Sequence, residues 1–322
     1  MPVAETFRPI RASLVHLNKR TNEQTNNRTF EPTFNYSRTD NGQRTTENRQ
    51  QVKHIYLIMK RIFGLIILIL TVLCGCSRQP DPPEDGKVII LLYHRLTAGE
   101  ATGPYERSVS DFEADLEWMN ENDIRIIDFT ELEKIIAGAE KLTTDAAILT
   151  FDDGDHSWYT LAMPLLKQYG KKATFFLWTS KIGMNSFLTW EEAELMSHYM
   201  DENGETPFVF GSHTISHQYL LTMKTALGAG AAFDAYLDEE LGGSKRLIDS
   251  HIHGSVQAMS LPFGDGAGDA DIISGALRNG YSFIRTSEWS AISTTGADLF
   301  RLPCLPILNN TNRDLIGDYL GR

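Results

Sequence analysis

Cysteine is scarce in this chain: its 322 residues include only Cys74, Cys76 and Cys304. Three cysteines cannot form the disulfide framework of a small secreted domain, and no CxxC pair indicates a structural zinc site. Positive charge is also in deficit, because 30 Lys and Arg stand against 42 Asp and Glu, for a net charge of −12. With no excess of basic groups to neutralise phosphates, we expect no nucleic-acid partner.

The chain also lacks an apolar run of the ~20 residues that a membrane-spanning helix needs. A shorter run over 62–73 follows Met59-Lys60-Arg61 and ends in Leu73-Cys74-Gly75-Cys76. This order of basic, apolar and small residues predicts a secretory signal peptide over 59–76. Its end resembles the lipobox of bacterial lipoproteins, which implies lipidation of Cys76. The alternative is a membrane anchor behind a cytoplasmic arm.

Residues 1–58 are rich in Asn, Thr, Arg and Gln and show no sustained hydrophobic period. Nine Lys and Arg against five Asp and Glu give this segment a charge of +4, which leaves −16 for the rest. Such a segment buries too little apolar surface to offset its ordering entropy, so we predict disorder. Because a signal peptide should begin a protein, the second hypothesis is that translation starts at Met59 and residues 1–58 are not made.

A lipidated Cys76 predicts a location in the cell envelope, anchored to a membrane and facing the periplasm or the exterior. Ser77 as the next residue favours the outer membrane if the cell is Gram-negative, by analogy with lipoprotein sorting. Residues 77–86 are rich in Pro and Asp and predict an extended tether. We therefore assign the folded domain to 87–322.

From Lys87 onward, short apolar runs alternate with amphipathic segments, which is typical of parallel βα units. The length of this part matches one α/β barrel of ~250 residues. The pattern predicts strands over 88–93, 146–151, 173–178, 208–210, 257–261 and 281–285, helices over 159–168, 231–249 and 272–277, and helix starts at the capping boxes 110–113, 130–133 and 189–192.

Two adjacent carboxylates follow the strand over 146–151, in the run Thr150-Phe151-Asp152-Asp153-Gly154. The carboxyl end of a barrel strand is where active sites form. Each carboxylate raises the pKa of the other, and a bound cation would relieve that repulsion. A solvated Asp-Gly turn would give the same pattern, so the run alone leaves both interpretations open.

Two further elements could belong to the same site. His213 and His217 are spaced i, i+4, which would place both imidazoles on one face of a helical turn, close enough to bind one ion. Pro262-Phe263-Gly264 ends a predicted strand. When each element is taken alone, the alternatives are a chance histidine pair and an ordinary turn.

In this order the elements resemble the polysaccharide deacetylase family, which has the NodB homology domain and is similar to carbohydrate esterase family 4. The resemblance extends over nearly the whole predicted domain and implies an α/β fold, a distorted (β/α) barrel of the NodB type. Its other parts are Leu91-Leu92-Tyr93-His94-Arg95, Ala173-Thr174-Phe175-Phe176, Leu188-Thr189-Trp190-Glu191-Glu192 and Glu240-Leu241.

The resemblance implies a role for each matching residue. Asp153, His213 and His217 would bind a divalent metal, with Zn2+ as the expected ion because a nitrogen and oxygen ligand set suits a hydrolytic Lewis acid. Asp152 would be the general base. The substrate pocket would be lined by Pro262, Phe263 and Gly264.

The chain departs from the family pattern in three places. Ser260 stands two residues before the motif proline, where many members have an arginine that orients the base. No histidine follows His253, so the usual general acid is missing, and Cys304 replaces the arginine of a late Leu-Pro-Arg. His156, two residues after Gly154, is our candidate for the acid, with a simple surface histidine as the alternative.

We therefore expect a metal-dependent hydrolase that removes N-acetyl groups from an amino-sugar polysaccharide, such as peptidoglycan, a chitin-like chain or poly-N-acetylglucosamine. The alternatives are an O-acetyl esterase acting on xylan and a non-catalytic carbohydrate-binding lipoprotein. A non-haem iron oxygenase shares the two-His-one-carboxylate set, but the barrel pattern argues against it. The expected partners are the polysaccharide and, through the lipid, a membrane, and we infer no protein partner.

Overall fold

The structure is a computed structural model that describes residues 86–322. The predicted disordered segment 1–58, the signal peptide 59–76 with its lipidation site Cys76, and the tether 77–86 up to its last residue lie outside the described part and remain predictions. Within residues 86–322, no helix is both long enough and apolar enough to cross a bilayer.

Residues 86–322 contain ten strands. They are β1 (Val88–Tyr93), β2 (Arg95–Thr97), β3 (Glu106–Ser108), β4 (Arg125–Ile126), β5 (Ala146–Asp153), β6 (Ala173–Leu177), β7 (Phe208–Ser212), β8 (Ala258–Ser260), β9 (Phe283–Arg285) and β10 (Leu305–Pro306). Seven of these strands form a parallel sheet in the order β10-β1-β5-β6-β7-β8-β9, and β4 pairs with the amino end of β5. A bridge joins Arg285 to Leu302, three residues before β10, so the two edges of the sheet approach each other as in a barrel. β2 and β3 form a separate pair.

Helices connect the strands, as expected for βα units. A π-helical segment, Trp158–Ala162, forms the start of the helix predicted over 159–168, and a second, Asp238–Gly243, divides the helix predicted over 231–249. Short 3-10 turns cover Thr179–Lys181 and Pro262–Gly264. The α-helices are α1 (Val109–Glu121), α2 (Phe129–Ile136), α3 (Met163–Gln168), α4 (Trp190–Ser197), α5 (Leu220–Leu227), α6 (Ala231–Leu237), α7 (Ser244–Asp249), α8 (Ala270–Arg278) and α9 (Asp314–Leu320).

Both faces of the sheet are buried, in two separate apolar clusters. Ile89 and Leu91 pack with the helices in the larger cluster, whereas Ile90 and Phe283 belong to a smaller cluster on the inner face of the curved sheet. Because side chains alternate between faces along a strand, Asp152 lies on the same face of β5 as Ile148, and Arg285 on the same face of β9 as Phe283. The carboxylate and the guanidinium therefore both lie on the inner face.

Two of the three predicted helix starts are wrong by two residues. The first N-cap is Ser108, whose Oγ accepts from Asp111 N at 3.0 Å, and the second is Asp128, which forms a reciprocal capping box with Glu131. The boxes predicted at 110–113 and 130–133 therefore lie inside the first turns. Only the box that begins with Thr189 is confirmed.

Candidate active site

The candidate site lies at the carboxyl edge of the parallel sheet. Asp152 and Asp153 end β5, and His213 follows β7, with its backbone nitrogen donating to Leu177 O of β6 at 2.9 Å. Carboxyl ends of parallel strands meet at one edge, so residues distant in sequence come together. Asp153, the last residue of β5, has a positive φ of 90°, which residues other than glycine rarely adopt.

Three ligand atoms converge at this edge. Asp153 Oδ1 lies 3.6 Å from His213 Nε2 and 3.7 Å from His217 Nε2, and the two Nε2 atoms are 2.9 Å apart. All three fall within 4.8 Å of one another, so a single cation could contact each of them. This is the same residue set that the sequence predicted for the metal.

The contacts of His213 are compatible with the protonation state that a metal-binding histidine requires. Its Nδ1 faces the Ser260 carbonyl oxygen at 3.0 Å and Ser260 Oγ at 2.6 Å. Donation from Nδ1 to this carbonyl oxygen is the tautomer that leaves Nε2 unprotonated, and Nε2 lies toward Asp153 and His217. Burial lowers the pKa of His213 to about 3, which keeps the imidazole neutral. The donor set therefore suits a divalent metal.

Asp153 also has the electrostatics of a cation site. Burial, together with the nearby charge of Asp152, raises the pKa of Asp153 to about 7. Two carboxylates this close are costly when both are ionised, and a divalent cation would offset the repulsion.

The two histidines do not lie on a helical turn, so the predicted helical geometry is wrong. Residues 213–219 form a loop, with left-handed backbone at Thr214 (φ 63°) and His217 (φ 56°). These two reversals bring the imidazoles together in place of a helical repeat. Left-handed backbone is unfavourable for β-branched and bulky residues, so the loop needs contacts that hold it.

Glu240, in the π-helical segment between α6 and α7, provides those contacts. Its Oε2 accepts from Ile215 N at 3.1 Å and Ser216 N at 2.9 Å, and its Oε1 accepts from Ser216 Oγ at 2.6 Å. The side chain is buried, and hydrogen bonds to an ionised group are stronger than neutral ones. The sequence indicated a family match at Glu240 but no role for it.

The predicted base, Asp152, is 2% exposed and pairs with Arg285, which is fully buried. Burial alone would raise the pKa of Asp152, but the Arg285 charge outweighs it and lowers that pKa below its usual value. Arg285 contacts Oδ2, while Oδ1 has no hydrogen-bond partner among the described residues. Asp152 therefore stays ionised with one oxygen available to accept a proton.

Arg285 is the functional residue that the sequence analysis missed. The family pattern predicts this arginine at position 260, where Ser260 instead contacts His213. The arginine comes from β9, and its guanidinium also lies 5.6 Å from the centre of the Phe176 ring and 3.7 Å from Cys304 Sγ. The sequence signal that could have identified Arg285 is its position as a charged residue at the end of an otherwise apolar strand.

The predicted substrate-binding residues border the histidine loop. The ring centroids of Phe263 and His217 are 4.6 Å apart, and Trp178 stacks on His217 at 4.4 Å. Pro262 is buried, whereas Phe263 is 54% exposed. Gly264 has φ of 69°, and a Cβ there would lie 2.9 Å from Ser287 N, so only glycine fits.

The predicted general acid, His156, contacts a residue outside the candidate metal site. Its Nε2 pairs with Glu192 Oε1 at 2.9 Å, and no hydrogen bond or ion pair within residues 86–322 joins it to Asp152 or to the metal-site histidines. Its role remains a prediction. His94, at the end of β1, has a buried Nδ1 without a hydrogen-bond partner among the described residues, and burial lowers its pKa.

Comparisons with known proteins agree with this architecture. The sequence model of the family described as polysaccharide deacetylase matches residues 139–284. A Bacillus subtilis protein named as a polysaccharide deacetylase, YxkH, is 28% identical over 210 residues, covering 65% of this chain and 68% of its own. Poly-beta-1,6-N-acetyl-D-glucosamine N-deacetylase of Staphylococcus epidermidis is 25% identical over 255 residues, covering 74% of this chain and 85% of its own.

Solved structures share the fold. The Streptococcus pyogenes deacetylase PplD in complex with acetate superposes with a TM-score of 0.61 at 21% identity, covering 73% of this chain and 99% of its own. IcaB from Ammonifex degensii superposes with a TM-score of 0.62 at 22% identity, covering 74% and 98%. Residues 139–284 match the polysaccharide deacetylase family, and the fold is the predicted NodB-type barrel. Proteins of this class are hydrolases that act on N-acetyl amide bonds.

Proposed function

We propose that this protein is a metal-dependent N-deacetylase of an amino-sugar polysaccharide, with poly-β-1,6-N-acetylglucosamine as the favoured polymer. The observation that carries the proposal is the convergence of Asp153, His213 and His217 beside a buried Asp152–Arg285 pair. The names of the staphylococcal relatives support the choice of polymer over peptidoglycan and chitin-like chains.

Asp153, His213 and His217 would hold the metal, and we propose Zn2+. When bound, the ion supplies Lewis acidity toward the acetamide carbonyl and toward water. Ser260 orients the imidazole of His213 through Nδ1, and Glu240 holds the loop that carries His217. These contacts would keep the nitrogen ligands in place before a metal binds.

Asp152 would act as the general base. Its Oδ1 accepts the proton of the attacking water, while Arg285 holds Oδ2 and keeps the carboxylate ionised. The departing amine then needs a proton, for which His156 is the proposed donor. The exposed ring of Phe263 would border the position of the sugar.

Acetate release from poly-N-acetylglucosamine oligomers tests the function. The zinc-loaded protein should release acetate, and treatment with a chelator should abolish release until zinc is added back. Asp152→Asn should retain zinc but lose turnover about 100-fold or more, because it removes the base and leaves the three ligands. A zinc-loaded wild-type protein that binds the oligomer without releasing acetate would contradict the enzymatic proposal and indicate a binding lipoprotein.

We also propose that the protein is anchored in the cell envelope through a lipid on Cys76. The support is the sequence around Cys76 and a polymer substrate that belongs to the envelope. Labelling cells with a radioactive fatty acid should mark the wild type and not the Cys76→Ser variant.

Peptides from residues 1–58 in the mass spectrum of the native protein would contradict the hypothesis that translation starts at Met59.

A further inference from the structure

Two exposed aromatic rings lie against each other beside the histidine loop. Tyr219 and Phe263 stack with ring centroids 4.1 Å apart and an interplanar angle of 11°. Tyr219 is 49% exposed and Phe263 is 54% exposed, so a large part of both rings faces solvent. Single exposed apolar residues are common on protein surfaces, but a stacked pair forms one continuous aromatic surface.

The backbone at Phe263 is strained. Its φ is 58° and its ψ is 8°, a left-handed conformation that glycine adopts freely and that a bulky residue rarely adopts. An aromatic residue held there, half exposed, contributes little apolar burial in return. Residues kept in such conformations cluster at functional sites, where the surrounding structure holds a side chain in a required position.

Contacts on both sides fix the pair. On one side, the Phe263 ring meets the His217 ring edge to face, with centroids 4.6 Å apart and an angle of 64°. On the other, Leu221 N donates to Asp265 Oδ2 at 2.7 Å, which links the segment after Tyr219 to the segment after Phe263. The aromatic surface is therefore held rigidly next to a proposed metal ligand.

We propose that Tyr219 and Phe263 form a stacking platform for a sugar ring of the polysaccharide, next to the residue that is deacetylated. The proposal rests on the proposed function. The C–H face of a pyranose ring is apolar while its hydroxyl groups point outward, so it can pack on an aromatic surface and leave its polar groups in water. The platform would thus position the polymer relative to the metal site.

Binding and kinetics of the full chain test the platform. The dissociation constant for an N-acetylglucosamine hexamer is measured by calorimetry, and KM and kcat are measured by acetate release. Tyr219→Ala should weaken hexamer binding and raise KM about fivefold, the loss expected for one stacking contact, with a much smaller effect on kcat. Tyr219→Phe keeps the ring and should bind like the wild type.

Phe263→Gly tests the second ring without straining the backbone, because glycine suits the left-handed conformation there. It should weaken hexamer binding by a similar factor. The matched control is Trp289→Ala: Trp289 is 58% exposed but lines a groove with Lys87, at the amino edge of β1 and opposite the site. This control should leave binding unchanged.

The outcomes separate the platform from the function. If the wild type releases acetate but Tyr219→Ala and Phe263→Gly bind the hexamer as tightly as it does, the platform is refuted. If the wild type releases no acetate, the proposed function fails, and the calorimetric comparison still decides the platform. If Tyr219→Ala instead dissolves a dimer seen by gel filtration without changing hexamer binding, the surface binds a second copy and the platform is wrong.

Discussion

Replacing Arg285 by methionine should damage this protein more than any surface charge substitution. Arg285 is 0% exposed and Asp152 is 2% exposed, so their ion pair is fully buried. Removing one partner of such a pair leaves an uncompensated buried charge, which typically costs about 3–5 kcal/mol. For a domain of this size, that loss corresponds to a decrease in melting temperature of roughly 6–20 °C.

A double-substitution cycle isolates the charge effect from lost packing. The variant Arg285→Met/Asp152→Asn has no buried charge at this position, so it should regain most of the free energy of unfolding that Arg285→Met loses. Arg301→Met is the matched control, because the Arg301–Glu288 pair is exposed and its loss should cost less than about 1 kcal/mol. Urea unfolding of the wild type, Arg285→Met, Asp152→Asn, the double variant and Arg301→Met gives the required free energies.

Kinetics provide the second measurement. With zinc saturating, Arg285→Met should lower kcat for acetate release while the bound zinc per chain stays at the wild-type value, because Arg285 contacts the base and none of the three metal ligands. If Arg285→Met unfolds like the wild type, or if adding Asp152→Asn restores no stability, the buried-pair reasoning is wrong. An unchanged kcat would mean that Arg285 does not position the base.

Two further predictions concern residues around the site. Glu240→Ala should weaken zinc binding about tenfold, because it releases the loop that holds His217. Glu240→Gln should recover part of the affinity, which is measured by competition with a chelator. Equal zinc affinity in the wild type and both variants would refute the positioning role. His156→Ala should lower kcat about 100-fold if His156 protonates the leaving amine. A loss below about threefold would exclude His156 as the general acid. The next candidate would then be His94, whose buried Nδ1 has no hydrogen-bond partner among the described residues.

The local sequence was sufficient to predict those elements that a short run of neighbouring residues specifies. The strand predicted over 88–93 is confirmed at Val88–Tyr93, because six consecutive apolar residues suit a parallel strand that is buried on both faces. The capping box at Thr189 is confirmed, since both of its hydrogen bonds form within four residues. The misplaced boxes at 110–113 and 130–133 show the limit of this reasoning. Each helix start offers two candidate N-caps that are two positions apart, Ser108 and Ser110 or Asp128 and Thr130, and the backbone uses the first.

The sequence also determined which residues could carry the chemistry, through the motifs that contain Asp152, Asp153, His213 and His217. Only the tertiary structure decided how they meet. The histidines converge because two residues of their loop have left-handed backbone and Glu240 accepts hydrogen bonds from that loop. Asp152 pairs with Arg285, which lies 133 positions later in the chain. Strand pairing and the curvature of the sheet bring such distant groups together, and no local pattern along the chain encodes those contacts.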